Sequence, residues 1–250
     1  MILALETATD LCAAALVHDG RIIAERSIEE KKVHSERLLP MVDEILRSAS
    51  VDIRNLAAVA VSIGPGSFTG LRIGLSTAKG LAVGGEKAII AIPTLHALAF
   101  ECHRRGRYSE GETLCPLIDA KRDEAYYAFF AVGKEGIIRE AEDGIESVSR
   151  IAELAGERRS VVLAGDGVAK LKASGYSRSS FRLEDGIRCS AASVGLLAER
   201  EGVPLHAPQY ERLEPVYLRD FVTTQPNPSR NKVLHRVPLA PLPITHSPKD

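Results

Sequence analysis

The sequence has no tryptophan, two methionines and four cysteines among its 250 residues. None of the cysteines belongs to a Cys-x-x-Cys pair, which favours reduced thiols in a cytoplasmic protein. No apolar run approaches the ~20 residues of a membrane-spanning helix, so we expect no membrane insertion. The start, Met1 to Leu5 followed by Glu6, lacks the basic region and the longer apolar run of a signal peptide. The cysteines are Cys12, Cys102, Cys115 and Cys189.

An excess of charge of either sign is also missing. The formal net charge is −1, which argues against strong autonomous binding to nucleic acid. The apolar fraction of 45% and the charged fraction of 26% are ordinary for a soluble globular chain. Glycine and proline are unusual only in their placement, because seven glycines fall within residues 64–85 and six prolines within residues 226–248.

Strands and helices follow one another in a mixed order in the first half. The run 57–62 has no polar alternation, which is typical of a buried parallel strand. Asp19-Gly20 is a hairpin turn signal, and Ser35 is a candidate cap of the first helix. We predict strands over 2–5, 11–17, 21–26, 57–62 and 88–92, and helices over 34–49, 71–84 and 93–103.

The second half repeats this order, with strands predicted over 113–118, 125–132, 137–141 and 160–164 and helices over 147–156 and 190–201. In each half the first strand ends in an acid-bearing turn and a later buried strand ends in Gly-x-Gly. The repeat predicts an α/β protein of two duplicated, ribonuclease-H-like domains with mixed sheets, the actin-like architecture. We place a first domain at 1–101 and a smaller second one at 102–222, whose last segment returns toward the first. A proline-rich tail at 223–250 is expected to be disordered.

The stretch Gly64 to Gly80 is the most informative part of the sequence. It fits neither the Walker pattern, which needs Gly-Lys-Ser/Thr, nor the Rossmann G-x-G-x-x-G pattern. Glycines between a strand and a helix favour an anion site and a structural turn about equally. Small residues recur every four positions, which is typical of a flat helix-packing face, either internal or between subunits; they are Gly66, Gly70, Gly74, Ala78 and Ala82.

Several motifs together resemble the bacterial TsaB (YeaZ) family over about residues 1–222. The glycine stretch Gly-Pro-Gly-Ser-Phe-Thr-Gly-Leu-Arg-Ile-Gly, starting at Gly64, is the specific one. The individually weaker matches are Leu5-Glu6-Thr7-Ala8, His34-Ser35-Glu36, Ile118-Asp119-Ala120-Lys121-Arg122 and Glu214-Pro215-Val216-Tyr217-Leu218-Arg219.

This resemblance implies a scaffold that activates TsaD in forming N6-threonylcarbamoyladenosine next to the tRNA anticodon, with the ATPase TsaE in the same assembly. It implies a heterodimer with TsaD through helices of the first domain, a homodimer when alone, and contact with tRNA only through the complex. The small-residue face then becomes a candidate partner surface. The expected interface residues are His34, Leu38, Met41, Ile45, Gly70, Gly74, Ala78 and Leu81.

Catalysis by this chain alone is not expected. The related TsaD proteins bind metal through an HxxxH pair, whereas Thr94 and Leu98 occupy those positions here. His96 is then alone, and a catalytic zinc typically uses three protein ligands, so a glycoprotease of the M22 type has no chemical support. We therefore predict no catalytic residues and no metal site.

Nucleotide chemistry is the alternative that stays open. Actin-like ATPases hold Mg²⁺ and phosphates with residues of the two first-strand turns, although solvated turns are the simpler interpretation. We expect no intrinsic cofactor, with ATP or ADP and Mg²⁺ as an option in the complex; the rival function is an autonomous ATP-dependent phosphotransferase. The candidate phosphate residues are Glu6, Thr7, Asp10, Gly64, Gly66, Ser67, Asp119, Lys121 and Arg122.

Overall fold

A computed structural model describes residues 1–106, 108–176 and 181–219. The expected tail at 223–250 lies outside the described residues. Met1–Arg219 form one compact unit, and the division into two domains stays a prediction. Within the described residues, no helix has the length and apolar character needed to span a bilayer.

Both halves of the described chain contain helices and strands. The strands are β1 (Ile2–Glu6), β2 (Leu11–His18), β3 (Arg21–Glu29), β4 (Ala58–Ser62), β5 (Ala88–Ile92), β6 (Thr113–Asp119), β7 (Glu124–Tyr127), β8 (Phe130–Gly133), β9 (Gly136–Arg139), β10 (Gly144–Ser147), β11 (Val161–Ala164), β12 (Phe181–Glu184) and β13 (Pro204–Leu205). The helices are α1 (His34–Ser48), α2 (Phe68–Gly85), α3 (Thr94–Arg105), α4 (Val148–Gly156), α5 (Val168–Ala173) and α6 (Ala191–Glu201).

Two mixed sheets share one strand arrangement. The first sheet has the order β13-β5-β4-β1-β2-β3, in which β1 is antiparallel to β2 and parallel to β4. The second has the order β10-β7-β6-β11-β12, in which β6 is antiparallel to β7 and parallel to β11. In both, the first strand of the half lies centrally between a hairpin partner and a crossover partner. This repeat confirms the predicted duplicated, actin-like α/β fold.

The helices lie on both faces of the first sheet. Alternate residues of β1 point to opposite faces, so Leu3 and Leu5 pack with α1 and α2 while Ile2 and Ala4 pack with α3 and α6. All five residues of β4 are buried, as the absence of polar alternation predicted. Helix α6 contacts the first sheet, and α3 contacts both α6 and β6 of the second sheet, so this layer joins the two halves.

Three details of the sequence prediction were wrong. The strand predicted over 125–132 is two strands, β7 and β8, which pair with different ends of β6; Pro116 lies between those pairings and has no N–H to contribute to a ladder. The second helix begins at Phe68 rather than 71, because the Ser67 hydroxyl accepts a hydrogen bond from Gly70 N. Ser35 lies inside the first turn of α1, whose capping residue is Val33, with no side-chain cap.

Some elements were missed because their sequences are short. The strands β10, β12 and β13 have two to four residues each, and α5 has six. Segments of this length carry little periodicity. They lie at sheet edges or beside the second sheet, and they do not change the central strand order.

Candidate functional site

The first-strand turn lies at the carboxyl end of β1, and its acid is buried. The Glu6 carboxylate has no exposed surface. Ala8 N donates to one of its oxygens across 2.6 Å, and the Cys189 thiol donates to the other across 3.2 Å. Burial raises the pKa of Glu6 to about 7. The carboxylate therefore faces the protein interior and not a ligand.

The small-residue face of α2 packs against this turn. A Cβ added at Gly70 would overlap the carbonyl oxygen of Thr7, and one at Gly74 would overlap its hydroxyl. The Thr7 hydroxyl donates to Gly70 O across 2.8 Å, which fixes the close approach. Ala78, further along the same face, is fully buried. The small-residue face is internal, so Gly70, Gly74 and Ala78 are not available to a partner and their assignment to the interface is corrected.

The glycine loop is held by hydrogen bonds within the chain. Gly64 N donates to the Thr94 hydroxyl across 3.0 Å, and Ser67 N donates to Ala8 O across 2.7 Å. Gly64 has a φ of +119°, and a Cβ there would overlap the carbonyl oxygen of Val216. A Cβ at Gly66 would overlap Ala8 O. The geometry favours a structural turn over an anion site, because these N–H groups, which could otherwise bind an anion, already have acceptors.

The corresponding turn of the second half follows β6, and we call it the second-strand turn. It is more open than the turn after β1. Its acid, Asp119, lies 2.6 Å from Lys170 Nζ and 3.7 Å from Lys121 Nζ. Lys121 and Arg122 have φ values of 65° and 51°, a conformation uncommon for residues other than glycine, and both are exposed. Asp10, on the first turn, is exposed as well. These are the members of the candidate phosphate set that solvent reaches most easily.

The first turn and the glycine loop, as folded, do not fit magnesium and phosphates, because Glu6 is buried and the loop N–H groups of Gly64 and Ser67 are occupied. Across residues 1–106, 108–176 and 181–219, no group of three or more His, Cys, Asp or Glu side chains is placed to hold a metal ion. His96 stacks on Phe130 with ring centroids 5.3 Å apart, and burial lowers its pKa to about 4, so it is a neutral core residue.

The remaining predicted interface residues also face inward. Leu38, Met41 and Ile45 pack in the core beneath α1, and His34 Nε2 lies 3.0 Å from Thr9 O. Among the predicted residues Leu81 alone is partly exposed. The interface predictions at His34, Leu38, Met41 and Ile45 are therefore corrected: these side chains attach α1 to the first sheet.

Exposed apolar side chains do lie on these helices, one or two positions along the chain from predicted interface residues. Leu39 on α1 is 55% exposed and Val83 on α2 is 64% exposed. A groove of about 740 Å³ runs along α1 and residues 50–53 and reaches Leu81 of α2. The sequence signal was the recurrence of Leu39 and Leu46 seven residues apart, beside the core stripe. The groove is lined by Leu39, Val42, Asp43, Leu46, Arg47, Ser50, Val51, Asp52, Ile53 and Leu81.

The chain returns to α2 before the described residues end. Lys79 Nζ donates to the carbonyl oxygens of Glu211 and Leu213, each across 2.9 Å. Val216 N donates to Ile63 O across 2.7 Å. We call residues 211–219 the return segment. The sequence predicted that the last part of 102–222 returns toward the first domain and matched residues 214–219 to a family motif. Its individual contacts were not predictable, since the segment has no periodicity and its contacts depend on the fold.

The return segment ends beside the second-strand turn. Arg72 Nε donates to the Tyr217 hydroxyl across 3.0 Å, and the rings of Phe68 and Tyr217 have centroids 4.9 Å apart. Arg219 donates to Ala120 O across 3.0 Å and to the Glu124 carboxylate. The segment thereby connects the start of α2 with the turn that carries Lys121 and Arg122.

Comparisons with known proteins find similar sequences and a similar structure. The family model of TsaD, tRNA N6-adenosine threonylcarbamoyltransferase, matches residues 21–196. The chain is 32% identical to the tRNA threonylcarbamoyladenosine biosynthesis protein TsaB of Escherichia coli (strain K12), over 92% of this chain and 99% of that protein. It is 29% identical to TsaB of Haemophilus influenzae over 92% and 98%. The structure of YeaZ from Pseudomonas aeruginosa superposes with a TM-score of 0.73 at 28% identity, covering 87% of this chain and 99% of that one.

Proposed function

Because this chain belongs to the TsaB (YeaZ) family of tRNA threonylcarbamoyladenosine biosynthesis proteins, we propose that it acts as a noncatalytic scaffold that pairs with and activates a TsaD-type threonylcarbamoyltransferase. The observation that carries the proposal is the groove along α1 that reaches Leu81 of α2, together with the exposed apolar side chains Leu39 and Val83. It lies on a half of the chain whose first turn is buried and whose glycine loop is held by internal hydrogen bonds. A pairing surface without an accessible reaction site is what a scaffold needs.

The proposed pairing surface consists of Leu39, Leu46, Ile73, Leu81 and Val83. Each is exposed or partly exposed on α1 or α2, whereas the core-facing residues of both helices are buried. An exposed apolar patch of this kind is costly in water and marks an interaction site. A helix pair from TsaD can cover it, and a second copy of this chain covers it when TsaD is absent.

The proposal assigns the transfer chemistry to TsaD and ATP hydrolysis to TsaE. Glu6 is buried against Ala8 N and Cys189, and the N–H groups of Gly64 and Ser67 are taken up internally. Such a turn supplies neither a magnesium ligand nor a phosphate cradle. ATP or ADP with Mg²⁺ is therefore proposed to belong to the assembled complex and not to this chain alone.

The test is reconstitution of threonylcarbamoyl transfer to tRNA with purified TsaD, TsaE and this chain. We expect no product from this chain by itself, and product from TsaD only when this chain is added. If TsaD were equally active without this chain, the scaffold proposal would be wrong. Calorimetry with ATP and Mg²⁺ on the isolated chain addresses the rival function, since micromolar binding that Asp119→Ala abolishes would favour an autonomous phosphotransferase.

A further inference from the structure

The surface where the return segment meets the two halves combines stacked aromatic rings with cations. Arg72 lies with its guanidinium carbon 3.9 Å from the centroid of the Phe68 ring while its Nε donates to the Tyr217 hydroxyl. Tyr217 is 39% exposed. The arrangement is built in advance: the guanidinium plane and the Tyr217 ring are held in place by the protein before any ligand arrives.

Arg72 keeps most of its donors for an outside acceptor. A guanidinium has five N–H groups, and the described residues provide a hydrogen-bond acceptor for the Nε group alone. The exposed guanidinium N–H groups of such a fixed arginine match phosphate oxygens and base edges. Arg72 therefore presents a directed donor set next to an exposed aromatic face.

The second-strand turn extends this surface. Arg219 follows Tyr217 by two residues, at most about 7 Å along the chain, and donates to Ala120 O beside Lys121. Arg122 has no ion-pair partner among residues 1–106, 108–176 and 181–219, and Lys121 shares the carboxylate of Asp119 with Lys170.

The local charge is positive on a protein whose net charge is −1. Five basic side chains and four acidic ones leave this surface with a charge of +1, including the ion pair of Arg219 with Glu124 and the Asp166 carboxylate that accepts a hydrogen bond from Asp119 N. The acidic side chains are Asp119, Asp123, Glu124 and Asp166, and the basic ones are Arg72, Lys121, Arg122, Lys170 and Arg219.

We propose that Arg72, Tyr217, Lys121 and Arg122 form an RNA-contact strip that binds unpaired nucleotides and the neighbouring phosphates of the tRNA while this chain is in complex with TsaD. The strip rests on the proposed function, because that function brings tRNA to the complex. Aromatic rings and guanidinium planes are the surfaces on which splayed RNA bases stack, and flexible cations neutralise the adjoining phosphates. A charge of only +1 explains why the strip works within the complex and not alone.

The experiment measures tRNA binding by the reconstituted complex across a salt series. The double variant Lys121→Gln/Arg122→Gln is compared with Lys134→Gln/Arg159→Gln, which removes two exposed cations elsewhere on the same half. We expect the first variant to weaken binding and to reduce the slope of log affinity against log salt by about 1 to 2, and the second to leave both unchanged. A variant Tyr217→Leu should weaken binding roughly fivefold or more at every salt concentration, because it removes the stacking ring.

Other readouts separate this proposal from the function it rests on. The strip variants should pair with TsaD as the wild-type chain does and should raise KM for tRNA with kcat unchanged. If both strip variants bound tRNA with the affinity and the salt dependence of the wild-type chain, the RNA-contact strip would be disproved. The proposed scaffold function would be unaffected. Weaker pairing of the variants with TsaD or TsaE in the absence of tRNA would also overturn the strip, since the surface would then be a protein contact. Failure of the wild-type chain to pair at all would overturn both.

Discussion

The thiol of Cys189 donates a hydrogen bond to the carboxylate of Glu6 across 3.2 Å, joining residues 183 positions apart in the chain. Glu6 ends β1 and Cys189 precedes α6, so the contact fixes the helix to the sheet where the first turn begins. Burial raises the pKa of both groups, that of Glu6 to about 7. A buried acid with a raised pKa makes the stability of the fold depend on pH.

We predict that Glu6 makes stability fall as pH rises from about 4.5 to about 7. In this window the folded chain still holds a proton on Glu6 that the unfolded chain, with an ordinary pKa of 4.5, has lost. Protonation therefore favours the folded state, and the contribution disappears as pH passes the folded pKa. The full effect is on the order of 3 kcal/mol. Urea unfolding at several pH values measures it.

The matched variants are Glu6→Gln and Glu30→Gln. The first keeps the shape and an acceptor for Ala8 N but cannot ionise, so its unfolding free energy should lose this fall with pH. Glu30 is exposed, and its replacement should leave the profile of the wild-type chain unchanged. Identical pH profiles for Glu6→Gln and the wild-type chain would show that Glu6 has an ordinary pKa.

The central strands were predictable because their sequences carry strong signals. The runs around Leu3, Val59 and Leu114 are apolar without alternation, and the polar or glycine-rich turns that follow them mark where each strand ends. The repeat of these signals in the two halves was enough to predict the duplicated fold. Short edge strands such as β12 carry no comparable signal, because four residues hold at most two periods of any pattern.

The site was harder to predict because burial direction depends on packing. Leu38 and Leu39 are adjacent and equally apolar, yet one is 1% exposed and the other 55%. A helical stripe can be recognised in the sequence, but which of two neighbouring stripes faces the sheet depends on how α1 sits on β2. The small-residue face does pack closely against a neighbour, as its pattern indicated. That neighbour is Thr7 of the same chain and not another protein.

Glycine substitutions on α2 separate internal packing from pairing. Gly70→Ala should destabilise the isolated chain by about 1–3 kcal/mol, because the added methyl overlaps the carbonyl oxygen of Thr7, which is backbone and cannot move aside cheaply. Gly80 lies on the same helix with nothing within 4 Å of an added Cβ. Gly80→Ala should stabilise by roughly 0.5–1 kcal/mol through helix propensity. Urea unfolding of the two variants tests the difference.

The same reasoning changes the expected effect of a larger residue. Gly74→Leu would place its side chain against the Thr7 hydroxyl, so it should unfold the chain instead of blocking a partner. A Gly74→Leu variant with wild-type stability and impaired pairing with TsaD would restore the small-residue face as an interface.

The pairing surface can be tested with charges placed on exposed apolar positions. Leu39→Asp and Val83→Asp replace side chains that are 55% and 64% exposed, so both variants should fold normally. In the complex each would bury an unpaired carboxylate, and affinity for TsaD should fall by at least about tenfold. Size-exclusion chromatography and calorimetry measure the loss.

Two control variants make this test specific to the proposed pairing surface of α1 and α2. Ile138→Asp places the same charge on a side chain that is 65% exposed on β9, and pairing should be unaffected because β9 lies outside the proposed surface. Leu38→Asp places it one residue from Leu39 but in the core, so this variant should fail to fold and not merely fail to pair. Normal pairing by Leu39→Asp and Val83→Asp together would show that TsaD does not bind here. The contrast between positions 38 and 39 thus assigns any loss of pairing to one face of one helix.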